Sequence, residues 1–264
     1  MLQEIYFALY AIKKNIQSSA ELRTSFLMNV IGMTINNTAF ILLWVFFVKS
    51  VGVIGGWTAA DIVALQGFTA ITYGIVFGFA AGINNLPAYV TNGNFDRFML
   101  SPKNVLLRVS TSAFSTAALG DILFGIICLV IYGVLIHVSL AQVLLIILLV
   151  FMVTVLFFSV TVVCSSASFY FDDAKFVVNG FFELFFTPSL FHGGAFQGPM
   201  RAFFMFVIPA LLVGTIPVEI VKDISMDKLA IVTIFTAFWL ALSIKIFNRA
   251  IRHYESSNLM TFGG

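Results

Sequence analysis

Charge is what this chain has least of. Only 10% of its 264 residues are Asp, Glu, Lys or Arg, against about a quarter in a soluble domain. A water-facing globular surface of this size is therefore excluded. Cysteine is nearly absent too. Cys128 and Cys164 both sit inside apolar runs, which leaves neither a disulfide framework nor a paired-cysteine metal site. The three histidines, His137, His192 and His253, are scattered over different segments and no HExxH occurs, so no metal site is predicted. Without a GxxxxGK[ST] loop the chain has no phosphate cradle of its own. No Ser/His/acid or Cys/His grouping stands out, and a net charge of +2 carries no argument for nucleic acid. The first 24 residues show no short apolar core followed by a small-residue cleavage site, so a cleavable signal peptide is not expected.

What abounds is apolar side chain: 60% of residues are hydrophobic and 31 are Phe. Several runs exceed the roughly 20 residues that cross a bilayer core. The fold class is an all-α integral membrane protein with six transmembrane helices, at about 26–48, 62–83, 113–136, 143–167, 176–192 and 229–247. The rest of the chain, 25–264, forms one transmembrane domain behind an N-terminal segment, 1–24. In that segment Leu2, Ile5, Leu9, Ile12 and Ile16 recur at helical spacing, with Lys13, Lys14 and Gln17 in other directions. The pattern predicts an amphipathic helix lying in the membrane interface; an ordinary solvated leader is the bland alternative. Between the fifth and sixth spans, Pro188, Gly193, Gly194, Pro209 and Pro217 break the helical pattern. A re-entrant helical segment over 193–221 is expected there, because broken backbone at membrane depth needs protein shelter. A full crossing by 202–221 stays open.

Basic residues orient the chain, since cytoplasmic flanks retain them. With six spans and a re-entrant segment, Lys13, Lys14, Arg23, Arg97, Lys103, Arg108, Lys175, Lys245, Arg249 and Arg252 lie inside; Lys49, Arg201, Lys222 and Lys228 lie outside. If 202–221 crosses, the tally becomes nine against five. Both versions place Asn92–Asn104, "NGNFDRFMLSPKN", in the cytoplasm. The first version puts both termini there too.

Candidate functional residues fall into four groups. In the opening part of the cytoplasmic segment 84–112, Phe95, Phe98 and Met99 fall on one side of a short helix, Asp96 and Arg97 on another, and Pro102 stops it. Such a helix can seat an apolar knob in a partner's groove, or rest on lipid headgroups. Polar groups inside spans are costly and mark a translocation path or interhelical contacts: Asn29, Asn36, Asn37, Asp121 and Glu183. Gly74, Gly78 and Gly82 recur every fourth residue and let another helix approach closely, within the chain or between subunits. The Phe-rich runs 181–186 and 203–206 suit lipid contact or an apolar substrate.

The segment "NGNFDRFMLSPKNVLLRVSTSAFSTAALGDILFGI" resembles the stretch between the second and third spans of bacterial ABC exporter permeases of the type-2 class, in the branch with a separate ATPase subunit. Gly93, Phe95, Asp96, Phe98, Met99, Leu100, Pro102 and Asn104 stand on the family's pattern. Leu119, Gly120 and Asp121 match its Leu-Gly-Asp, and Pro209 and Pro217 its late proline pair. Ser101 departs from it, where many members carry a second basic residue. The resemblance implies a non-enzymatic permease subunit in the bacterial cytoplasmic membrane, exporting an amphipathic or apolar substrate by alternating access. It implies a coupling helix at Phe95 to Pro102, including Arg97, and an extracellular gate at Pro188, Gly193, Gly194, Pro209 and Pro217. It further implies two copies of an ABC ATPase subunit as partners, ATP and Mg bound there rather than on this chain, and a second permease, identical or similar. The rival reading is an ion-gradient-driven secondary transporter or channel working through Asp121 and Glu183. That rival predicts inverted repeats and paired intramembrane charges, and the sequence shows neither.

Overall fold

The computed structural model describes residues 2–51, 56–171 and 173–254. Residues 52–55 of the first loop, Asp172, Glu255 of the basic tail and the side chain of Lys49 lie outside the described set. Among the described residues there are twelve α-helices and no strand. They are α1 (Leu2–Glu21), α2 (Arg23–Val51), α3 (Ala59–Phe79), α4 (Leu86–Thr91), α5 (Asp96–Met99) and α6 (Val105–Ser110). Then follow α7 (Ala117–Leu135), α8 (Leu140–Ser166), α9 (Ala174–Ser189), α10 (Gly198–Ala202), α11 (Thr215–Asp223) and α12 (Met226–Ala250).

Five stretches among the described residues are long and apolar enough to cross a membrane: Arg23–Phe46, Ala59–Phe79, Ala117–Leu135, Leu140–Phe169 and Met226–His253. The expected span at 176–192 is α9, whose 16 residues make a rod of about 24 Å, shorter than the roughly 30 Å hydrocarbon core. Pro188 sits in its last turn. Beyond it the chain continues as short turns and helices up to α12.

Starts are written in side chains. Thr58 and Asp61 form a reciprocal capping box on α3, Ser139 and Gln142 another on α8, and Ser225 caps α12. Within α8, Thr154, Ser159, Thr161 and Ser166 each donate to the carbonyl four residues back, which satisfies their hydroxyls in apolar surroundings.

The centre of the bundle is the pairing of α3 with α7. A side chain at Gly74 would come within 2.7 Å of the Ala118 carbonyl oxygen, and one at Gly125 within 2.8 Å of the Gly67 carbonyl. Gly78 faces the Ala118 methyl, and Gly82 lies against the Val109 carbonyl and the Ser112 hydroxyl. Gly74, Gly78 and Gly82 thus pack within the chain; Gly67 on α3 and Gly125 on α7 join the same seam, while Gly120 on α7 faces α2. α8 lies beside α3 and along α12, while α2 covers α7.

The helices define two ends. At one lie α4, α5, α6, the end of α12 and the start of α9. Aside from Lys49, the basic residues predicted inside and outside segregate by end: the first ten collect at the α5 end, while Arg201, Lys222 and Lys228 stand at the other. α1 lies against α6 at the α5 end. Asn15 donates to the Thr111 carbonyl (3.0 Å), Glu4 accepts from the Asn104 amide (3.2 Å), and Lys103 sits over the Phe7 ring. Ile5, Tyr6 and Leu9 on its other face stay exposed.

Gly74→Val is expected to lower bundle stability by about 2 kcal/mol or more, because the new methyls meet backbone rather than a movable side chain. Gly180→Ala, where a Cβ meets nothing within 4 Å, is expected to leave the melting temperature unchanged or slightly raised. Thermal melts of the detergent-solubilised variants check both.

Candidate functional site

Two adjoining cavities, of about 460 and 510 Å³, run between α2, α3 and α7, with α9 closing one of them. They share Met33, Tyr73 and Asp121. Asn36, Asn37 and Gln66 line the first and Asn29 the second, which extends toward the α5 end past Asn84 and Asn85. Asp121, 4% exposed, accepts a 2.6 Å hydrogen bond from Asn37 Nδ2. Asn29 Nδ2 donates to Thr116 Oγ1 at 3.2 Å. Asn29, Asn36, Asn37 and Asp121 are thus brought together. Glu183 is not: it stands exposed on α9, outside both cavities, and accepts from Thr187 Oγ1 at 2.9 Å.

The sequence reading missed the α3 wall. Gln66, Thr69 and Tyr73 follow i, i+3, i+7 spacing, a periodicity that could have shown one polar stripe on an apolar helix. Gln66 Nε2 also donates to the Leu190 carbonyl at 3.2 Å. That bond satisfies a carbonyl that the short α9 leaves open at its end. The 181–186 run is mixed in role. Phe182, Phe185 and Phe186 pack around Phe157, while Phe181 alone of its four rings is exposed.

At the α5 end, the polar stretch forms a platform. The chain turns at Gly93, whose φ of +69° suits glycine, and the Phe95 amide bonds back to the Tyr89 carbonyl at 2.9 Å. Phe95 and Phe98, 0% and 4% exposed, are buried with Ile83, Leu86, Val109, Phe169 and Phe247. The expectation that both share an outward side with Met99 is corrected here. Each helical turn must bury one face, and the rings of Phe169 and Tyr254, 5.0 and 4.8 Å from Phe95, take it. The outward apolar side chains are Met99, 47% exposed, and Leu100, 86% exposed. Arg108 caps the short α5 by donating to the Phe98 carbonyl (2.6 Å) and the Arg97 carbonyl (3.2 Å). Arg97 lies over the rings of Tyr89 and Phe98. Pro102 follows in the turn before α6, which Asn104 caps through the Leu107 amide. Burial and the facing Asp96 push the Tyr254 phenol up to about 12, so it stays a neutral hydroxyl at physiological pH.

At the opposite end, residues 190–225 close over the bundle. Beyond α9, the His192 ring lies 6.0 Å from that of Trp57, tilted against it at the start of α3, and Gly193 abuts Thr215 and Arg201. The chain then passes through α10, and Gly214 returns to meet the Ser189 carbonyl and Thr69 in the middle of α3. From there α11, which contains Pro217, leads back to the same end, with Ala210 to Val213 fully buried at the deep turn. Pro209 enters that turn, while Gly194 lies in the outer turn with Gly193. Three ion pairs hold the ascending helix. Glu219 takes both Arg201 (3.0 Å) and Lys228 (2.8 Å), and Lys222 reaches Asp61 at 2.9 Å and the Gly56 carbonyl at 3.0 Å. Asp61 and Glu219 were not singled out from the sequence. The capping box at Thr58 was a legible sign for Asp61, and nothing local marks Glu219. Among the described residues no group of His, Cys, Asp and Glu could hold a metal ion.

Five helices long and apolar enough to cross a membrane, three of which enclose cavities that carry Asp121 and several amides, are the build of a multi-pass membrane protein. The family model for the ABC-2 family transporter protein matches residues 33–258, and the chain belongs to that family. It is an ABC-2 type permease, a membrane component of transport, as the resemblance around Asn92–Asn104 implied. No curated protein sequence matches the chain.

Glu219→Gln leaves two cations sharing a neutral amide. We expect a loss of about 1–2 kcal/mol, larger than for a fully exposed pair because the carboxylate is mostly buried. Melting curves at low and high salt check it, with the deficit of the variant narrowing as salt screens the wild-type pairs.

Proposed function

We propose that this chain is the membrane-spanning subunit of an ATP-driven exporter that moves an amphipathic or apolar substrate out of a bacterial cell. In this reading six spans cross the inner membrane: the five long helices, and α9 completed by the residues after Ser189. The α5 end faces the cytoplasm, with both termini there, and α1 lies in the interface with Ile5, Tyr6 and Leu9 toward lipid. Residues 193–221 are a re-entrant extracellular gate. The excursion from the α11 end to the depth of Thr69 and back, in helices too short to cross, supports this. The proline and glycine positions Pro188, Gly193, Gly194, Pro209 and Pro217 allow its turns.

ATP and Mg bind on a separate ABC ATPase subunit, present in two copies, and a second permease completes the assembly. The observation that carries the reading is the platform. Buried Phe95 and Phe98 anchor a four-residue helix that presents Met99 and Leu100, 47% and 86% exposed, on the face richest in Lys and Arg. An apolar pair so presented, on a rigid base within a basic rim, fits insertion into a groove of a soluble partner.

The double variant M99E/L100E tests the contact without touching the core. It is expected to keep the wild-type melting temperature while ATPase co-purification and ATP-driven transport fall about tenfold or more. Unchanged co-purification would overturn the reading. Phe95→Ala is instead expected to cost about 3–5 kcal/mol of stability, through the cavity it leaves, and to lose transport with the fold.

A further inference from the structure

Among the described residues Asp121 is the single charged one lining either of the two adjoining cavities, and both contain it. It is 4% exposed, at the level where α2, α3 and α7 meet. Its hydrogen bond comes from Asn37, which is neutral. Among the described residues none of the ion pairs involves it; Arg201, Lys222 and Lys228 are paired with Glu219 and Asp61 at the far end. A buried carboxylate in low dielectric requires either a proton or a counter-charge. Among the described residues the protein offers no cation there, and the cavities offer the space for one.

The walls specify the rest of the ligand. Phe40, Tyr73, Phe124 and Phe186 line the first cavity beside Asp121, and aromatic faces attract a cation as they bury its apolar substituents. Asn36 and Gln66 add hydrogen-bonding amides. A volume of about 460 Å³ is that of a site for one small organic molecule. One carboxylate matches one positive charge.

From this arrangement we infer that the α2–α3–α7 cavity is a binding site for a lipophilic organic monocation, with Asp121 as its counter-ion and the four rings as its walls. The inference rests on the export reading for its physiological sense, and it deepens that reading by naming the charge of the substrate. The site selects by sign: an anion of the same size and shape meets Asp121 as a like charge and is excluded.

The test uses the full chain in nanodiscs of zwitterionic lipid, with empty nanodiscs subtracted, and two probes of equal shape and opposite charge. Tetraphenylphosphonium is expected to bind saturably about tenfold or more tightly than tetraphenylborate. D121N, which can keep a hydrogen bond to Asn37, is expected to lose that preference while eluting and melting like wild type. Phe124→Ala is expected to weaken the cation without reversing the order. Equal affinities for the two ions, no saturable binding of either, or a preference that survives in D121N would each overturn the inference. The cation-against-anion comparison needs no variant, so a poorly folding D121N does not spoil it. ATPase co-elution, scored separately in the same membranes, separates the two ideas. Co-elution without charge preference removes the cation site alone, and charge preference without co-elution removes the ATP-driven reading alone.

Discussion

Everything in this bundle hangs on how closely α3 can approach α7. In an apolar solvent there is little hydrophobic force between helices, so association depends on packing and on polar groups finding partners. Glycine on both helices, at Gly67 and Gly74 on one and Gly125 on the other, lets backbone meet backbone. That approach sets Tyr73 and Asp121 on a common wall, and α2, resting on α7 at Gly120, supplies the facing amides of Asn29, Asn36 and Asn37.

The two ends solve different problems with different chemistry. At the α11 end, broken backbone is buried, and the solution is shelter plus ion pairs: fully buried Ala210 to Val213 inside, Arg201, Glu219, Lys222 and Lys228 around them. At the α5 end the helices are short, four to six residues, and would not stand alone in water. Aromatic burial holds them, through Phe95, Phe98, Phe169 and Tyr254, with Arg108 supplying the missing hydrogen-bond donors. One end is thus tied by three ion pairs, two of which share Glu219, and the other by a cluster of rings.

Hydropathy made the long spans legible, because twenty apolar residues have few other uses. Clustering of the polar residues was legible in part: Asn37 and Asp121 meet, as their shared cost in hydrocarbon required. What was not legible depends on distant partners. Whether Phe95 points in or out is decided by Phe169, Phe247 and Tyr254, far along the chain. The periodicity of a four-residue helix cannot say which face is covered. Glu183 looked like Asp121 in sequence, yet α9 turns it away from the cavity. The short reach of α9 goes with Pro188 in its last turn and with a neighbour, Gln66, whose amide donates to the carbonyl left open at its end.

The anchoring of α5 has a mechanical meaning. A loop on flexible tethers absorbs a push by bending, but this one is tied by several contacts. Phe95 is held through its amide by Tyr89 and through its ring by Phe169, and Phe169 in turn touches Phe247 on α12. In the proposed exporter, load applied at Leu100 would pass through these rings into α12 and the close of α8, which pack against each other. In that reading the platform is the short arm of a lever whose long arm, α12, begins beside Lys228, under residues 190–225.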